Sequence, residues 1–197
     1  MVIVIYDVKS EEDPTMRVTR EKVVENRERI VAAASRLFRE KGFDGVGVDA
    51  IMEQAGLTHG AFYRHFASKD ALAAEAVARG LAAGAARQSK YSSLKEFVAA
   101  YLSPSHRDNR GGGCVLASLG GDVARQNRAA RHAFSADIRD RLAWLAERMS
   151  GRRAAARRQA IATLSGLVGA LVLARAVDDP TLSDEILAAA RATFDGT

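Results

Sequence analysis

With 197 residues, 48% of them hydrophobic and 27% charged, the chain is long enough to bury a sizeable core, as one large domain or as a small domain joined to a larger one. A single cysteine excludes an intrachain disulfide and fits a reducing compartment, for which the expectation is the cytoplasm. The net charge of +5 suits a polyanionic partner, but the excess is not concentrated at the amino-terminal end, so charge alone singles out no nucleic-acid-binding segment.

Three prolines and abundant alanine, leucine and arginine favour helices, and the expected class is all-α with about nine of them. The first fifteen residues are acidic, contain Pro14 and lack the periodicity that follows. A flexible arm is expected over residues 1–20, or an upstream start that the cell does not use. Beyond Met16 the run turns basic, and Ile30, Ala34, Leu37 and Phe38 recur at i, i+4, i+7 and i+8 as the apolar stripe of a long helix. Gly42 is its expected end and Phe43 an apolar plug. Val48, Ile51, Met52 and Ala55 then place four apolar side chains on one face of a second helix, which Gly56 can close in the left-handed conformation. Leu57 plugs the turn, and Thr58 is placed to cap a third helix. At about 100° per residue, His59, Gly60, Tyr63 and Arg64 share an arc of roughly 140°, with Phe62 on the other side.

A helix, a glycine turn and a second helix with a hydrogen-bonding outer face make a helix-turn-helix, whose second helix fits the major groove of DNA. The string GLTHGAFYRHFASKDAL, preceded by RERIVAAASRLFREKGF, resembles the amino-terminal domain of the TetR (tetracycline-repressor) family of bacterial regulators, over about Arg27 to Val77. The resemblance implies a DNA-binding domain over residues 21–67. It puts Lys69 at a phosphate-binding position and Tyr63 and His65 where side chains reach the backbone, while His59, Gly60, Ala61 and Arg64 face or flank the bases. Gly47, Val48 and Thr58 complete the candidate DNA-binding set. Read from the residues alone, Tyr63 and His65 fit equally as amphipathic side chains covering the core. Two positions depart from the family pattern: Gly47 stands where Ser or Thr usually caps the second helix, and Ala61 where Ser or Thr is common, each losing a possible phosphate contact.

Ser68 can cap a fourth helix, with Asp70 in its first turn, running to about Arg87; Gly80 and Gly84 lower its propensity and mark the expected place of bending. Ser93 with Glu96 resembles a capping box opening a helix with Phe97, Val98 and Tyr101. Ser103 to Gly113, with Pro104 and three consecutive glycines, is expected to be a loop. A short apolar helix follows from about Cys114, and Asn127 can cap a long one carrying Phe134, Ile138, Leu142, Leu145 and Met149. The final pair is expected from about Arg153 to Val177 and from about Ser183 to Phe194, broken at Asp178-Asp179-Pro180. In the first of these, Ile161, Leu164, Val168, Leu171 and Val172 form a stripe flanked by small residues, which allows another helix to approach closely. The uncharged run Ala160 to Ala174 is short for a membrane span, and the opening VIVIY is short for a signal segment and lacks a basic leader, so no membrane partner is expected.

The resemblance implies that residues 68–197 form a helical ligand-binding and dimerisation domain. Its last two helices would pair with those of a second copy, with Leu164, Val168, Leu171, Val172, Ile186 and Ala190 at the homodimer interface. A helix buried within one chain fits the same pattern. An effector pocket would draw on Phe97, Tyr101, Cys114, Leu119, Phe134 and Trp144, a mostly apolar lining that suits a small hydrophobic effector, although aromatics at helical spacing also serve simply as core. Cys114, after three glycines and before an apolar helix, suits a reactive thiolate sensing oxidants or electrophiles, or a small buried side chain in a tight spot. There is no P-loop, nucleotide fingerprint or GxSxG, and His59, His65, His106 and His132 lack metal-site spacing. The chain therefore reads as no enzyme, with no cofactor and no metal. The expected partners are double-stranded DNA with an inverted-repeat operator, a small-molecule effector and a second copy of the chain, acting in repression, which is the family default. The rival is a helical small-molecule-binding module that does not touch DNA.

Overall fold

A computed structural model describes residues 14–195, which form nine α-helices and one 3-10 helix, with no strand among the described residues. The arm expected over residues 1–20 lies outside the described residues as far as 13; from Pro14 the backbone is helical. The order is α1 (Pro14–Lys41), α2 (Val48–Gln54), η1 (His59–Arg64, the 3-10 helix), α3 (Lys69–Gln88), α4 (Leu94–Tyr101), α5 (Pro104–Asp108), α6 (Val115–Val123), α7 (Arg128–Ala146), α8 (Arg153–Ala176) and α9 (Pro180–Phe194).

The head is built from α1, α2 and η1. Helix α1 ends where the sequence indicates: Gly42 takes φ +74° and its N–H donates to the Phe38 carbonyl at 2.8 Å. Ile30, Ala34, Leu37 and Phe38 are all buried and meet Ile51 and Met52 of α2, Phe62 of η1, and Phe43, Val46 and Phe66 from the connections. Burial of a side chain as large as Phe38 or Phe62 contributes about 1.5–3 kcal/mol. The turn after α2 is a Schellman closure. The Leu57 N–H donates to Met52 O and the Gly56 N–H to Glu53 O, both at 2.9 Å, with Gly56 at φ +65°.

Helix α3 joins head to body. Ser68 caps it as expected, its Oγ accepting from the Ala71 N–H at 3.1 Å, and its 20 residues span about 30 Å. The glycines expected to bend it do something else. The helix runs unbroken through both, and a Cβ on Gly80 would lie 2.5 Å from Arg39 Nη1 and 2.7 Å from Val115 Cγ2, while one on Gly84 would lie 2.6 Å from Arg141 Nη2. Each glycine lets a neighbouring side chain press against the helix backbone. Across the α1/α3 contact, Ser35 Oγ donates to Ala76 O at 2.8 Å and Arg27 pairs with Glu75 at 2.6 Å.

The body packs α7, α8 and α9 together, with α3 against α7 and α6 against α8. Four sequence expectations change here. The loop expected from Ser103 to Gly113 contains α5, which starts because Ser103 Oγ accepts from the His106 N–H at 3.1 Å and Pro104 supplies a helical φ. Helix α9 starts at Pro180, not Ser183: Asp179 accepts from the N–H groups of Thr181 and Leu182 at 2.8 and 3.2 Å, and Ser183 is buried, donating to Ala174 O at 2.7 Å. In the capping box Ser93 accepts from the Glu96 N–H, but Glu96 reaches back one residue further, to the N–H and hydroxyl of Ser92 at 3.1 and 2.8 Å.

The fourth change concerns the stripe on α8, which serves two faces. Leu164 and Leu171, expected at a dimer interface, are 8% and 0% exposed within the chain's own core, together with Leu167 and Ala170. Ile161, Val172 and Leu173 point outward at 47%, 41% and 57%, with Val168 half-buried; on α9, Ile186 and Ala190 are half-buried. The small residues divide in the same way. A Cβ on Gly166 would run into the Phe194 ring of α9, whereas Gly169 has nothing within 4 Å. By length and composition α8 could cross a membrane, but its inner face is packed against α6, α7 and α9.

Candidate nucleic-acid interface and effector cavity

The outer surface of the head is set by the pitch of η1. The expected α-pitch gives way to 3-10 bonds, Ala61 N–H to Thr58 O at 3.0 Å and His65 N–H to Phe62 O at 2.9 Å. The segment is six residues long, contains Gly60 and must bury Phe62 and Phe66 almost side by side, so the tighter coil suits it. The presented side survives the change. Tyr63 is 66% exposed, His59, Gly60 and Arg64 are exposed, Ala61 and His65 are half-buried, and Phe62 is 1% exposed. Tyr63 stands edge-on between the Phe62 ring at 5.2 Å and the His59 ring at 6.0 Å, which fixes its orientation without covering it. The His59 Nδ1 is hydrogen-bonded to Asp49 Oδ1 on α2.

Around this face the other candidates fall into place unevenly. Thr58 occupies the N-cap position of η1 with extended backbone, yet its side chain makes no capping bond. Gly47 occupies the N-cap of α2, also without one, and is exposed with open space where a side chain would be. Val48 is half-buried against the core and supports the face from beneath. Lys69 is the first residue of α3, half-buried, at a helix N-terminus where the dipole and free N–H groups favour an anion.

A cavity of about 330 Å³ opens in the body between the carboxyl end of α3, α4, α5, the 109–114 loop and α7. Of the six residues expected to line a pocket, Phe97, Tyr101 and Cys114 do. Leu119 is core at 2% exposure, Phe134 packs half-buried against that core, and Trp144 lies behind Phe97 with rings 5.3 Å apart and the Arg148 guanidinium over its face. The remaining wall is more polar than an apolar effector requires: Arg87, Gln88, Ser103, His106, Asn109 and Arg141 take part, and no carboxylate does. Arg141 is held in place, with Nε 2.6 Å from Asp137 Oδ2 and Nη1 2.8 Å from Gln88 Oε1.

His106 is fixed by two backbone groups. Its Nε2 accepts from the Cys114 N–H at 3.1 Å, so the proton sits on Nδ1, 2.7 Å from the Tyr101 carbonyl. Burial holds its pKa below the ordinary imidazole value, against the pull of that carbonyl. Behind the loop lies a cluster of cations. Arg39 donates to Gly111 O and Ser35 Oγ, each at 2.7 Å; Arg175 donates to the carbonyls of Arg107 and His106 and to Ser118; Arg87 reaches Gly113 O at 3.4 Å. Among the described residues none of the three pairs with a carboxylate. Burial and the charge on Arg87 lower the Arg39 pKa to about 10.

The geometry of the head can be compared with known proteins. A model described as bacterial regulatory proteins, tetR family, matches residues 30–76, the segment that carries the second half of α1, then α2, η1 and the start of α3. The amino-terminal head is similar to that of the TetR family. Over 54 residues it is 43% identical to the transcriptional regulator LmrA of Bacillus subtilis, 27% of this chain and 29% of that protein. Over 138 residues it is 25% identical to the transcriptional repressor NemR of Escherichia coli, 66% of this chain and 69% of that one. The chain spans only 17 to 34% of the length of the Bacillus and Staphylococcus relatives that it matches through the head. Among solved structures, the reduced form of E. coli NemR overlays with TM-score 0.70 at 24% identity, covering 87% of this chain and 95% of that one. A TetR-family regulator from Cytophaga hutchinsonii gives 0.72 at 20% identity, covering 89% and 96%. These overlays carry the fold, helix-turn-helix head and helical body together. Each of the relatives named here is a transcriptional regulator.

The residues that sequence reasoning missed are mainly those of the cavity: Arg87, Gln88, Tyr91, His106 and Arg141. One of them left a trace. Arg141 stands three residues after Ile138 and four after Asp137, a charged residue on the apolar face of α7 with its counter-ion one turn back. Nothing local marks the others.

Proposed function

We propose that this chain is a ligand-responsive transcriptional repressor of the cytoplasm, which binds an inverted-repeat operator as a homodimer and is released by a small organic effector. The observation that carries the reading is the uncovered side of η1, where Tyr63, Arg64, His59 and Gly60 stand clear of the chain's own body above a helix start bearing Lys69. Phosphates accept hydrogen bonds from phenol, imidazole and ammonium groups, and an arginine that reaches a guanine edge adds about 1–3 kcal/mol of discrimination. Two copies related by a two-fold axis would read half-sites about 34–36 Å apart or somewhat more.

Release would follow from a two-state equilibrium in which effector favours the form whose heads no longer match the two grooves. Two physical links support coupling of cavity to head. Helix α3 carries Lys69 at one end and Gly84, Arg87 and Gln88 of the cavity wall at the other, and Arg39 of α1 holds the carbonyl of Gly111 beside the cavity loop. The test is salt-dependent binding to a duplex from the protein's own promoter region, with Tyr63→Ala as the variant. The variant should lose binding while dimerisation and helicity persist. Wild-type protein that ignores every duplex would leave the rival, a ligand-binding module without DNA.

A second reading makes Cys114 the sensor of oxidants or electrophiles. Its support is position, at the N-cap of α6 and on the cavity wall; its burial, at 6% exposure, favours the structural role. If oxidants release operator equally from Cys114→Ser and wild type, the thiol is a packing group.

A further inference from the structure

The cavity is the feature whose chemistry the regulator reading leaves unassigned. Its charge is lopsided. Two guanidinium groups, Arg87 and Arg141, stand in a wall that contains no carboxylate, Arg141 being paired with Asp137 from outside it, and among the described residues Arg39 and Arg175, behind the loop, have hydroxyl and carbonyl partners only. Arg141 is already engaged by Asp137 and Gln88. Arg87 is not: among the described residues its hydrogen bonding is limited to the long 3.4 Å approach to Gly113 O. An unpaired guanidinium at the rim of a hollow without carboxylates attracts anions and repels cations.

The rest of the wall is aromatic. Tyr91, Phe97 and Tyr101 follow one another with ring centroids 5.8 and 5.5 Å apart, a surface suited to a planar apolar body. The Tyr101 hydroxyl is buried, with the weakly hydrogen-bonding Cys114 thiol for a neighbour and no well-formed hydrogen bond among the described residues, an unusual state for a phenol that a ligand oxygen would relieve. Burial, and after it the neighbouring Cys114, raises its pKa, so it remains a donor.

From these observations we propose that the cavity takes a small aromatic carboxylate, its ring against Tyr91 and Phe97 and its carboxylate held by Arg87. The inference rests on the effector reading above and names the ligand class of that site. Arg87 serves as the clamp because a guanidinium fork matches the two oxygens of a carboxylate. Occupation would also draw together α3, through Arg87, and the loop, through Gly113, the two elements that lead to the head.

The experiment is calorimetric titration of the full chain, without DNA and at constant ionic strength, with benzoate, 4-hydroxybenzoate and 3-phenylpropionate, each beside its neutral amide. At least one carboxylate should bind about tenfold or more tightly than its amide, and Arg87→Gln should abolish that preference. Arg87 is exposed, so the variant should fold, which circular dichroism verifies. Tyr101→Phe should weaken binding by a smaller factor. The proposal is overturned if no carboxylate outbinds its amide, if the preference persists in Arg87→Gln, or if inorganic phosphate binds as well with the same dependence on Arg87. Duplex binding is measured separately. Its loss with carboxylate binding intact counts against the regulator alone, and its retention without any carboxylate preference counts against this inference alone.

Discussion

His106 shows how one half-buried side chain ties the cavity loop to pH. Its ring must be neutral to accept from the Cys114 N–H, and burial depresses its pKa in the folded state below the ordinary value of about 6.5. As pH falls below that value the unfolded chain takes the proton first. The stability that depends on the neutral ring is therefore complete above about pH 6.5 and is lost as pH falls through the folded pKa. Urea midpoints followed from pH 8 to pH 5 should decline more steeply for wild type than for His106→Asn; parallel curves would show that the ring does not matter. Gly47 offers the opposite kind of test, a missing group. With φ −82° and ψ 161° it has the backbone of an N-cap that any residue adopts, and nothing lies within 4 Å of a Cβ there. Gly47→Ser should add a few tenths of a kcal/mol in thermal unfolding and, by restoring a hydroxyl donor at the face, tighten duplex binding. Unchanged affinity would place Gly47 away from phosphate. The two residues differ in legibility for a physical reason. Gly47 was visible in the sequence because its role is set by its immediate neighbours, whereas His106 acts through Tyr101 and Cys114, which only the fold of α5 brings to it.

Among the helices, those whose ends are marked by local chemistry were read from the sequence, and the errors fall where two signals compete. Ser68, Asn127, Gly42 and Gly56 do as expected because capping involves atoms no more than a few residues away. The Ser103-Pro104 start of α5 was hidden by the glycine triplet that follows it, and the Asp179-Pro180 start of α9 was read only as a break. In η1 the burial of Phe62 and Phe66 overrides the α-pitch that periodicity assumes. Gly80 and Gly84 are the instructive case, since low helix propensity is all that sequence reports of a glycine inside a helix. Their function is contact, and it can be tested. Gly80→Ala should gain helix propensity of about 1 kcal/mol, yet the new methyl would lie 2.7 Å from Val115 Cγ2 and 2.5 Å from Arg39 Nη1, and overpacking of that kind costs about 1–3 kcal/mol. A lowered melting temperature is expected. A raised one would mean that α1 and α6 yield easily and that Gly80 is, after all, a matter of flexibility.

Among the described residues, an apolar surface on the last two helices is unexplained by the chain's own fold. Ile161, Val172 and Leu173 stand exposed on α8 and Leu182 on α9, while Gly169 leaves room where Gly166 is filled by Phe194. In the sequence, the small residues beside the stripe allow another helix to approach α8 closely. The sequence did not show from which side, because a stripe of apolar residues reads the same whether it faces α7 or a second copy. A two-fold interface counts each residue twice, so a charge placed on this surface is opposed by its own symmetry mate. Burying one Leu side chain contributes about 1.5–3 kcal/mol, and Leu173→Glu removes that term on both sides while adding two like charges. Sedimentation should therefore report a dimer for wild type and a folded monomer for Leu173→Glu, with duplex affinity reduced by at least about a hundredfold because a single head contacts only one half-site. Tyr63→Ala should do the reverse, keeping the dimer and losing the duplex. Were Leu173→Glu to sediment as wild type, the pairing surface would lie elsewhere on the body, and the half-site spacing expected from this arrangement would fall with it.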